Sequence, residues 1–315
     1  SGWQCMDYYF KHAEMPDYGF SPDAIFPIIN GEKGNVSATF NFQAGAEAAG
    51  VNHLVSFEAG LRENMVPQDA TAVVESANLA ELVVDFESFL LEHQLGGQVQ
   101  LQGNQATFSL IGKAAHGSTP SKGVNAATFL AKYLHRFEFD RAGAESFLHL
   151  LADHLHQDFE GVNLGVAHRD PVMQELTMNV GLVNYRDDKG GSIVANFRYP
   201  KGTDPEKMAA QTAQRLAGHD LSVEWGEFKE PHYVSVDDPM VKELLAVYEE
   251  QTGLEGHEMT IGGGTYGRLM PRGVAYGALF PDSIDTMHQA NEFIAIDDLL
   301  KATAIYAEAI YRITR

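Results

Sequence analysis

The sequence predicts an α/β domain that is built from both ends of the chain and interrupted by an inserted α+β domain in two parts. The chain has 315 residues, which at roughly 100–200 residues per domain corresponds to two domains. A strand–strand–helix–strand order occurs twice in the middle of the chain, and after residue 232 strands alternate with helices, as is typical of an α/β layer. We expect domain segments at 1–34, 35–231 and 232–315, with the first and third forming one domain.

Local patterns predict each element in turn. Turn-forming residues make 1–34 irregular apart from a short apolar strand near Ile28-Ile29. Farther along, alternation of apolar and polar residues predicts strands, and apolar residues that recur at helical spacing predict helices. The predicted strands lie at 36–42, 53–59, 98–102, 106–111, 176–184, 191–198, 221–228 and 274–280, and the predicted helices at 69–93, 124–136, 144–157, 204–217, 238–252 and 296–313.

The amino-acid composition excludes several classes of function. Lys and Arg total 22 against 43 Asp and Glu, so the formal net charge is −21. Such an acidic chain is unsuited to neutralising nucleic-acid phosphates or to docking on an anionic membrane, and it suits a protein that binds cations. No apolar run reaches the ~20 residues of a membrane span.

Cysteine content and the first residues indicate the compartment. The single cysteine, Cys5, excludes an internal disulfide and favours a reducing, cytoplasmic location. The first residues carry no signal-peptide pattern, which disfavours a periplasmic-type solute binder.

Two candidate metal ligands lie far apart in the chain. Asp23 follows Pro22 and precedes Pro27 by four residues. This rigid setting would suit a ligand, although a turn Asp bonded to its own backbone is the ordinary alternative. His288 precedes the last predicted helix and would suit zinc through a ring nitrogen, with a surface loop His as its alternative.

Three further patterns would suit ligand binding. His116 lies in a turn-rich loop after a strand, where binding groups are common, and Arg198 ends a strand, where its guanidinium would suit a substrate carboxylate. The glycines at 262–264 allow backbone amides to approach a ligand, but the loop matches neither a dinucleotide fingerprint nor a Walker loop. A loop His, a surface Arg and a structural tight turn remain the alternatives.

A group of histidines lies on one predicted helix. His149 and His156 are seven residues apart and share a helical face, whereas His154 points elsewhere. We interpret all three as solvated polar positions.

The motifs occur in a recognisable order along the chain. They are Ser-Pro-Asp-Ala-x-Phe-Pro at 21–27, Gly-Glu-Lys-Gly at 31–34, Glu-Asn-Met-Val-Pro at 63–67, Gly-Lys-Ala-Ala-His-Gly-x-x-Pro-x-x-Gly-Val-Asn-Ala at 112–126, Asn-Phe-Arg-x-Pro at 196–200, Gly-Gly-Gly-Thr-Tyr-x-Arg at 262–268 and His-x-x-Asn-Glu at 288–292. Together they resemble the di-zinc exopeptidases, a family that includes aminoacylases, succinyl-diaminopimelate desuccinylases and carnosinases, and they are most similar to its bacterial dipeptidases.

The resemblance implies a fold, an activity and a role for each motif residue. It implies an α/β catalytic domain with two zinc ions, Mn²⁺ or Co²⁺ being alternatives, and an inserted lid of two ββαβ-like halves. It also implies that a monomer hydrolyses dipeptides of the Xaa-Xaa or β-Ala-Xaa type. By the same resemblance Asp23 and His288 bind metal, His116 and Asn64 reach the reacting carbonyl and the bound dipeptide, Arg198 binds the C-terminal carboxylate, and Gly262, Gly263 and Gly264 line that pocket.

Part of the family pattern has no counterpart in the match. This sequence lacks the family's His-x-Asp motif, its bridging Asp and its paired Glu-Glu. In the family the two glutamates supply the catalytic base and a zinc ligand. The family pattern has the Glu pair just before a Gly-Trp such as Gly2-Trp3, so we expect part of the catalytic domain to be missing and this chain to be inactive alone. The alternatives are a related amidohydrolase of the aminoacylase or desuccinylase type, or a non-catalytic fragment or pseudo-enzyme that acts as a binding module.

Overall fold

The computed structural model describes residues 3–286 and 291–315. The chain divides into two compact units: unit 1 comprises Ser1–Lys33 and Pro231–Arg315, and unit 2 comprises Gly34–Glu230. The segment boundaries predicted from the sequence differ from these by one residue.

The α-helices are α1 (Gln4–His12), α2 (Leu79–His93), α3 (Ala126–Leu134), α4 (Ala142–His149), α5 (Pro205–Arg215), α6 (Pro239–Thr252) and α7 (Ile296–Ile313). The strands are β1 (Gly19–Ser21), β2 (Ala24–Ile25), β3 (Ile29–Glu32), β4 (Gly34–Phe42), β5 (His53–Ala59), β6 (Asp69–Glu75), β7 (Gly96–Gln102), β8 (Gln105–Ile111), β9 (Arg169–Asp170), β10 (Gln174–Glu175), β11 (Thr177–Arg186), β12 (Gly190–Tyr199), β13 (Leu221–Trp225), β14 (His232–Tyr233), β15 (Met259–Ile261), β16 (Gly273–Ala275) and β17 (Ala278–Leu279).

Unit 2 is built on an eight-stranded antiparallel sheet in the order β13-β4-β12-β11-β5-β6-β8-β7. Alternation explains which face is buried, because β4 buries every second residue along its length. Phe40 of β4, Phe86 of α2 and Tyr133 of α3 all belong to one continuous apolar core. Helix α3 is buried along almost its whole length, so it is a central element of that core.

The sheet of unit 2 consists of two related halves. One half has the spatial order β5-β6-β8-β7, and the other has the order β11-β12-β4-β13. In each half the first two strands are antiparallel neighbours, and in the chain they are followed by a helix and then by the edge strand. The fourth strand of each half fits between the second strand and the edge strand. In one half this is β8, which follows the edge strand, and in the other it is β4, which precedes the whole series.

One predicted helix is wrong in its first part. Residues 69–75 form β6, and only Leu79–His93 are helical. Ala70, Ala72 and Val74 alternate toward the core, and β6 pairs with β5 on one side and β8 on the other. Two sets of ladder hydrogen bonds therefore override the apolar spacing that predicted a helix.

The predicted helix at 144–157 also differs. It is an α-helix only to His149 and continues as a π-helix over Leu150–Leu155. A π-helix bonds residue i to residue i+5, so side chains beyond residue 150 point in directions that a 3.6-residue period does not predict.

Unit 1 combines a short mixed sheet with two long helices. The sheet order is β1-β16-β3-β14, with β15 also paired to β3. Helices α6 and α7 contribute to a core that contains Phe26, Tyr248, Tyr276 and Ile305. The predicted strand 274–280 is instead two short strands, because β16 pairs with β1 and β3 whereas β17 pairs with β2.

Helix α1 was not predicted. None of its residues is buried, so no apolar stripe indicates a helix in the sequence. Among the described residues, no helix has the length and apolar character that a membrane crossing requires.

Candidate functional site

Asp23 lies at the rim of a cavity in unit 1. It is exposed and occupies the junction between β1 and β2, and β2 is fixed by its parallel pairing with β17. The cavity has a volume of about 370 Å³, and acidic side chains line it together with apolar ones. The acidic lining residues are Asp23, Asp282, Glu292 and Asp298.

The donor chemistry around Asp23 allows a test of whether a metal fits. A carboxylate is an ordinary ligand for zinc, so Asp23 fits as one ligand. Within residues 3–286 and 291–315, however, no group of three His, Cys, Asp or Glu that includes Asp23 is close enough to enclose an ion. The described residues therefore do not complete a metal site there, and His288, the second predicted ligand, lies outside the described residues.

The glycine-rich loop of unit 1 is anchored by a carboxylate that we did not predict. Glu32, at the end of β3, is only 1% exposed. Its carboxylate accepts hydrogen bonds from the backbone N–H of Thr265, at 3.1 Å to each oxygen, and from the Thr265 hydroxyl at 2.6 Å. The Arg268 guanidinium lies 3.6 Å from the same carboxylate. The residues that follow Gly262, Gly263 and Gly264 are thus bound to the sheet.

The electrostatic setting of Glu32 is that of a buried charge with partial compensation. Burial raises the pKa of the Glu32 carboxyl, and the nearby Asp23 adds to this rise. The hydrogen bonds from Thr265 and the charge of Arg268 lower the pKa but offset only part of the effect. A signal was available in the sequence, since Glu32 belongs to the Gly-Glu-Lys-Gly motif.

In unit 2 the structure brings His116 and Asn64 together. His116 lies in the connection between β8 and α3, and Asn64 lies in the connection between β5 and β6. The backbone N–H of Gly117 donates to the Asn64 carbonyl at 2.8 Å, and Met65 forms an isolated bridge with His116. Glycine is needed at 117, because a Cβ atom there would lie 2.9 Å from the Asn64 carbonyl carbon and oxygen.

The tautomer of His116 follows from its hydrogen bonds. The backbone N–H of Ser118 donates to His116 Nδ1 at 3.1 Å, and the Ser118 hydroxyl lies 2.7 Å from the same nitrogen. Because Nδ1 accepts, the neutral ring carries its proton on Nε2. The exposed His116 ring therefore has the form of a hydrogen-bond donor through Nε2.

Arg198 is held by a buried asparagine. The Arg198 Nε–H donates to Asn196 Oδ1 at 2.9 Å, and Asn196 is 0% exposed. The Asn196 amide donates in turn to Asn35 Oδ1 at 2.8 Å and to Ser37 Oγ at 2.9 Å, both on the neighbouring β4. Arg198 is half-buried, so its guanidinium is oriented by groups that are themselves fixed.

A second buried asparagine connects this strand with the Asn64 loop. Asn179 lies directly opposite Asn196 in the sheet, and its amide donates to the carbonyls of Glu63 at 2.9 Å and Met65 at 3.0 Å. Asn64 and Arg198 are thus held by adjacent amides. We predicted no role for either asparagine. Asn196 belongs to the Asn-Phe-Arg-x-Pro motif, and Asn179 is a polar residue within an apolar strand segment, which is an informative pattern.

The family model of peptidase family M20/M25/M40 matches residues 8–312, nearly the whole chain. The chain therefore belongs to this peptidase family. Its members are metallopeptidases, so membership implies a metal cofactor, for which zinc is typical.

The particular relatives are dipeptidases. The chain is 45% identical over 316 residues to the β-Ala-Xaa dipeptidase of Lactobacillus delbrueckii subsp. lactis, a match that covers 100% of this chain and 66% of that protein. It is 41% identical over 322 residues to the putative dipeptidase YtjP of Bacillus subtilis (strain 168), with 100% and 67% covered. The chain thus spans about two thirds of the length of these relatives. Among solved structures, an aminoacylhistidine dipeptidase from Vibrio alginolyticus matches with a TM-score of 0.49 and 14% identity, over 98% of this chain and 66% of that one.

Proposed function

We propose that this chain is part of a metal-dependent dipeptidase that hydrolyses Xaa-Xaa or β-Ala-Xaa dipeptides with two zinc ions. The 45% identity to a β-Ala-Xaa dipeptidase over the whole of this chain carries the proposal. In this account unit 1 is the catalytic domain and unit 2 is the inserted lid. Asp23 and His288 are the metal ligands that this chain supplies.

Metal bound at such a site supplies Lewis acidity and an activated water. The remaining roles belong to side chains of this chain. Arg198 is proposed to bind the free C-terminal carboxylate of the dipeptide, because a guanidinium pairs with a carboxylate through two parallel hydrogen bonds. The contact of Arg198 with Asn196 supports this role, since it restricts the guanidinium before substrate binds.

His116 is proposed to stabilise the oxyanion that forms when the scissile carbonyl is attacked. The hydrogen bonds at Nδ1, which leave the proton on Nε2, support this role. Removal of one such donor costs about 10²–10³ in kcat. Asn64, whose carbonyl accepts from Gly117, is proposed to contact the bound dipeptide, and Gly262, Gly263 and Gly264 to line its pocket.

A substrate panel tests the proposal. The whole protein, loaded with Zn²⁺, is assayed with β-Ala-His, an α-dipeptide, a tripeptide, an N-acetyl amino acid and N-succinyl-diaminopimelate. We expect the dipeptides to be hydrolysed with the highest kcat/KM and a chelator to abolish the activity reversibly. Preferred hydrolysis of the N-acyl substrates would instead indicate an aminoacylase or a desuccinylase, and no hydrolysis of any substrate would indicate a binding module.

A further inference from the structure

Unit 2 contains a group of histidines that the proposed dipeptidase reaction does not use. We call His149, His154 and His219 the histidine cluster. One ring nitrogen from each lies within 4.8 Å of the others, and all three residues are half-buried. The ring centroids are 5.0 Å apart for His149 and His219, and 5.4 Å apart for His154 and each of the other two.

The π-helix explains why these side chains meet. His149 is the last residue of α4, and His154 lies within the π-helix Leu150–Leu155. In an α-helix, residues five apart point about 140° away from each other, whereas the i to i+5 pattern of a π-helix brings them onto one side. The interpretation of His154 as pointing away from its neighbours is therefore wrong. His156, which we paired with His149, packs edge-on against Phe129 instead.

The third histidine comes from a different part of unit 2. His219 lies in the turn that follows α5, where its N–H donates to the Leu216 carbonyl at 3.1 Å and its carbonyl accepts from Leu221 at 2.9 Å. The backbone on the other side is also held, since the Asn163 amide donates to the His154 carbonyl at 3.3 Å. The cluster thus lies between two segments that are each fixed independently.

The polar contacts of the cluster resemble those of a ligand set. His149 Nδ1 lies 3.0 Å from Asp153 Oδ2, and metal-binding histidines characteristically donate their other ring N–H to a carboxylate. This contact leaves Nε2 of His149 for a metal. His154 Nδ1 is buried and has no hydrogen-bond partner among the described residues, and a buried nitrogen of that kind is costly unless something binds it.

The charges around the cluster are mixed. Arg215 lies near His154, and Lys132 forms an ion pair with Asp153 at 3.0 Å. The positive charges of Arg215 and Lys132 disfavour the binding of a metal ion. Asp153 supplies the compensating negative charge and also contacts His135 at 3.1 Å.

We propose that His149, His154 and His219 bind one Zn²⁺ ion, with water as the fourth ligand, and so cross-link the π-helix to the turn after α5. Three imidazoles are a favourable zinc donor set, with Zn–N distances of about 2.0–2.1 Å and nitrogens roughly 3.4 Å apart. The separations of up to 4.8 Å therefore have to shorten by about 1.4 Å at most, which side-chain rotation allows. This site involves neither Asp23 nor His288.

Zinc counting tests the proposal. The metal-free chain is equilibrated with Zn²⁺ alone, and bound zinc per chain is measured after gel filtration for the wild-type chain, His154→Ala and His219→Ala. We expect each variant to retain one zinc fewer than the wild-type chain, and His168→Gln, a lone histidine of the same unit, to retain the wild-type number. Asp23 is a proposed metal ligand at a different site. The difference of one zinc between the wild-type chain and each cluster variant should therefore persist when Asp23→Asn is introduced into all of them. Equal zinc content in the wild-type chain and both histidine variants overturns the proposal.

The unaltered chain provides a test that does not depend on variants folding. Diethyl pyrocarbonate modifies accessible imidazoles, and mass spectrometry locates the modified residues. At a Zn²⁺ concentration about ten times the Kd, modification of the three cluster histidines should slow by about tenfold, and modification of His12 and His168 should be unchanged. Equal rates with and without Zn²⁺ at His149, His154 and His219 contradict the site.

Discussion

In unit 1 the glycine-rich loop is attached to a buried carboxylate, whereas in unit 2 the Asn64 loop and Arg198 are attached to buried amides. Glu32 carries a charge that Thr265 and Arg268 must compensate. Asn179 and Asn196 are neutral and bond to backbone and side-chain oxygens of neighbouring segments.

The difference has a physical consequence. A buried charge loses its hydration, so removing a partner leaves an uncompensated ion and a large cost. A neutral amide loses less when a partner is removed, and its hydrogen bonds do not change with pH near neutrality. We therefore expect the loop of unit 1 to respond more strongly to substitution than the corresponding network of unit 2.

Each unit carries one of the two tryptophans, which allows the units to be followed separately. Trp3 contacts Tyr266 of the glycine-rich segment, with ring centroids 5.6 Å apart, and Trp225 lies beside Phe197 in unit 2 at 5.4 Å. A Trp225→Phe background leaves Trp3 as the fluorescent probe of unit 1. A Trp3→Phe background leaves Trp225 as the probe of unit 2.

Glu32→Ala should have the largest effect. The substitution removes the acceptor of both Thr265 hydrogen bonds and the buried carboxylate of the ion pair with Arg268. We expect the free energy of unfolding of unit 1 to fall by about 3 kcal/mol, measured by urea denaturation with Trp3 fluorescence. Glu255→Ala, an exposed glutamate of the same unit, is the control. A loss no larger than that of the control would show that the carboxylate does not anchor the loop.

Asn196→Ala should have the next largest effect. It removes the donor to Asn35 and Ser37 and the acceptor of Arg198. We expect unit 2 to lose about 2 kcal/mol of unfolding free energy, with Trp225 as probe. Asn184→Ala, on the exposed side of β11 in the same sheet, should change it by less than about 0.5 kcal/mol. If Asn196→Ala destabilises unit 2 more than Glu32→Ala destabilises unit 1, the contrast between charged and neutral anchors is wrong.

Two adjacent glycines provide a smaller, paired test. A Cβ atom at Gly264 would lie 3.1 Å from Arg268 Nη1, whereas one at Gly263 would have its nearest neighbour, Ile261 Cδ1, at 3.8 Å. Because Arg268 pairs with Glu32, displacing it should cost about 1 kcal/mol in Gly264→Ala. Gly263→Ala should cost less than about 0.5 kcal/mol. Urea denaturation with Trp3 fluorescence compares the two variants. An equal loss of unfolding free energy in Gly264→Ala and Gly263→Ala would mean that Arg268 moves freely.

The smallest expected effect is a pH dependence at His53 of unit 2. Its two ring nitrogens contact Asp140 at 2.9 Å and Asp187 at 3.0 Å. Burial lowers the pKa of His53, but the hydrogen bonds to Asp187 and Asp140 outweigh burial, so the pKa is raised above 6.5. The protonated ring therefore stabilises unit 2 fully below pH 6.5, and this contribution is lost as pH rises through the raised value.

The effect should remain below about 1 kcal/mol, because both carboxylates are partly exposed. The measurement compares the wild-type chain with His53→Gln from pH 5.5 to 8.5, with His168→Gln as control. A difference between wild-type and His53→Gln that stays constant or grows with pH would contradict the assigned direction.

Much of unit 2 could be predicted from local pattern. The strands of the sheet alternate regularly, as β4 does, and Asp204 caps α5 through hydrogen bonds to the N–H groups of Glu206 and Lys207, as Asp-Pro at the predicted helix start suggests. The position of β4 beside β13 could not be predicted, because strand order depends on contacts between distant residues.

The site was predicted less completely, for a related reason. Asp23, His116, Asn64 and Arg198 belong to motifs that are visible as short strings. The roles of Glu32, Asn179 and Asn196 depend on partners such as Thr265, more than 200 residues from Glu32, and on the register of β11 against β12. The pairing of His149 with His154 depends on a π-helix that a 3.6-residue period does not reveal.

The proposed dipeptidase activity depends most on Arg198 as the ligand of the dipeptide carboxylate. The measurement is kcat/KM of the whole protein for β-Ala-His and for its C-terminal amide, in the wild-type protein, in Arg198→Ala and in Arg186→Ala, a half-buried arginine of the same sheet that pairs with Glu58. We predict that Arg198→Ala lowers kcat/KM for β-Ala-His by roughly 10- to 100-fold and leaves the amide, already a poor substrate, unchanged, while Arg186→Ala changes neither. An equal loss for the acid and the amide, or no loss for the acid, would contradict it.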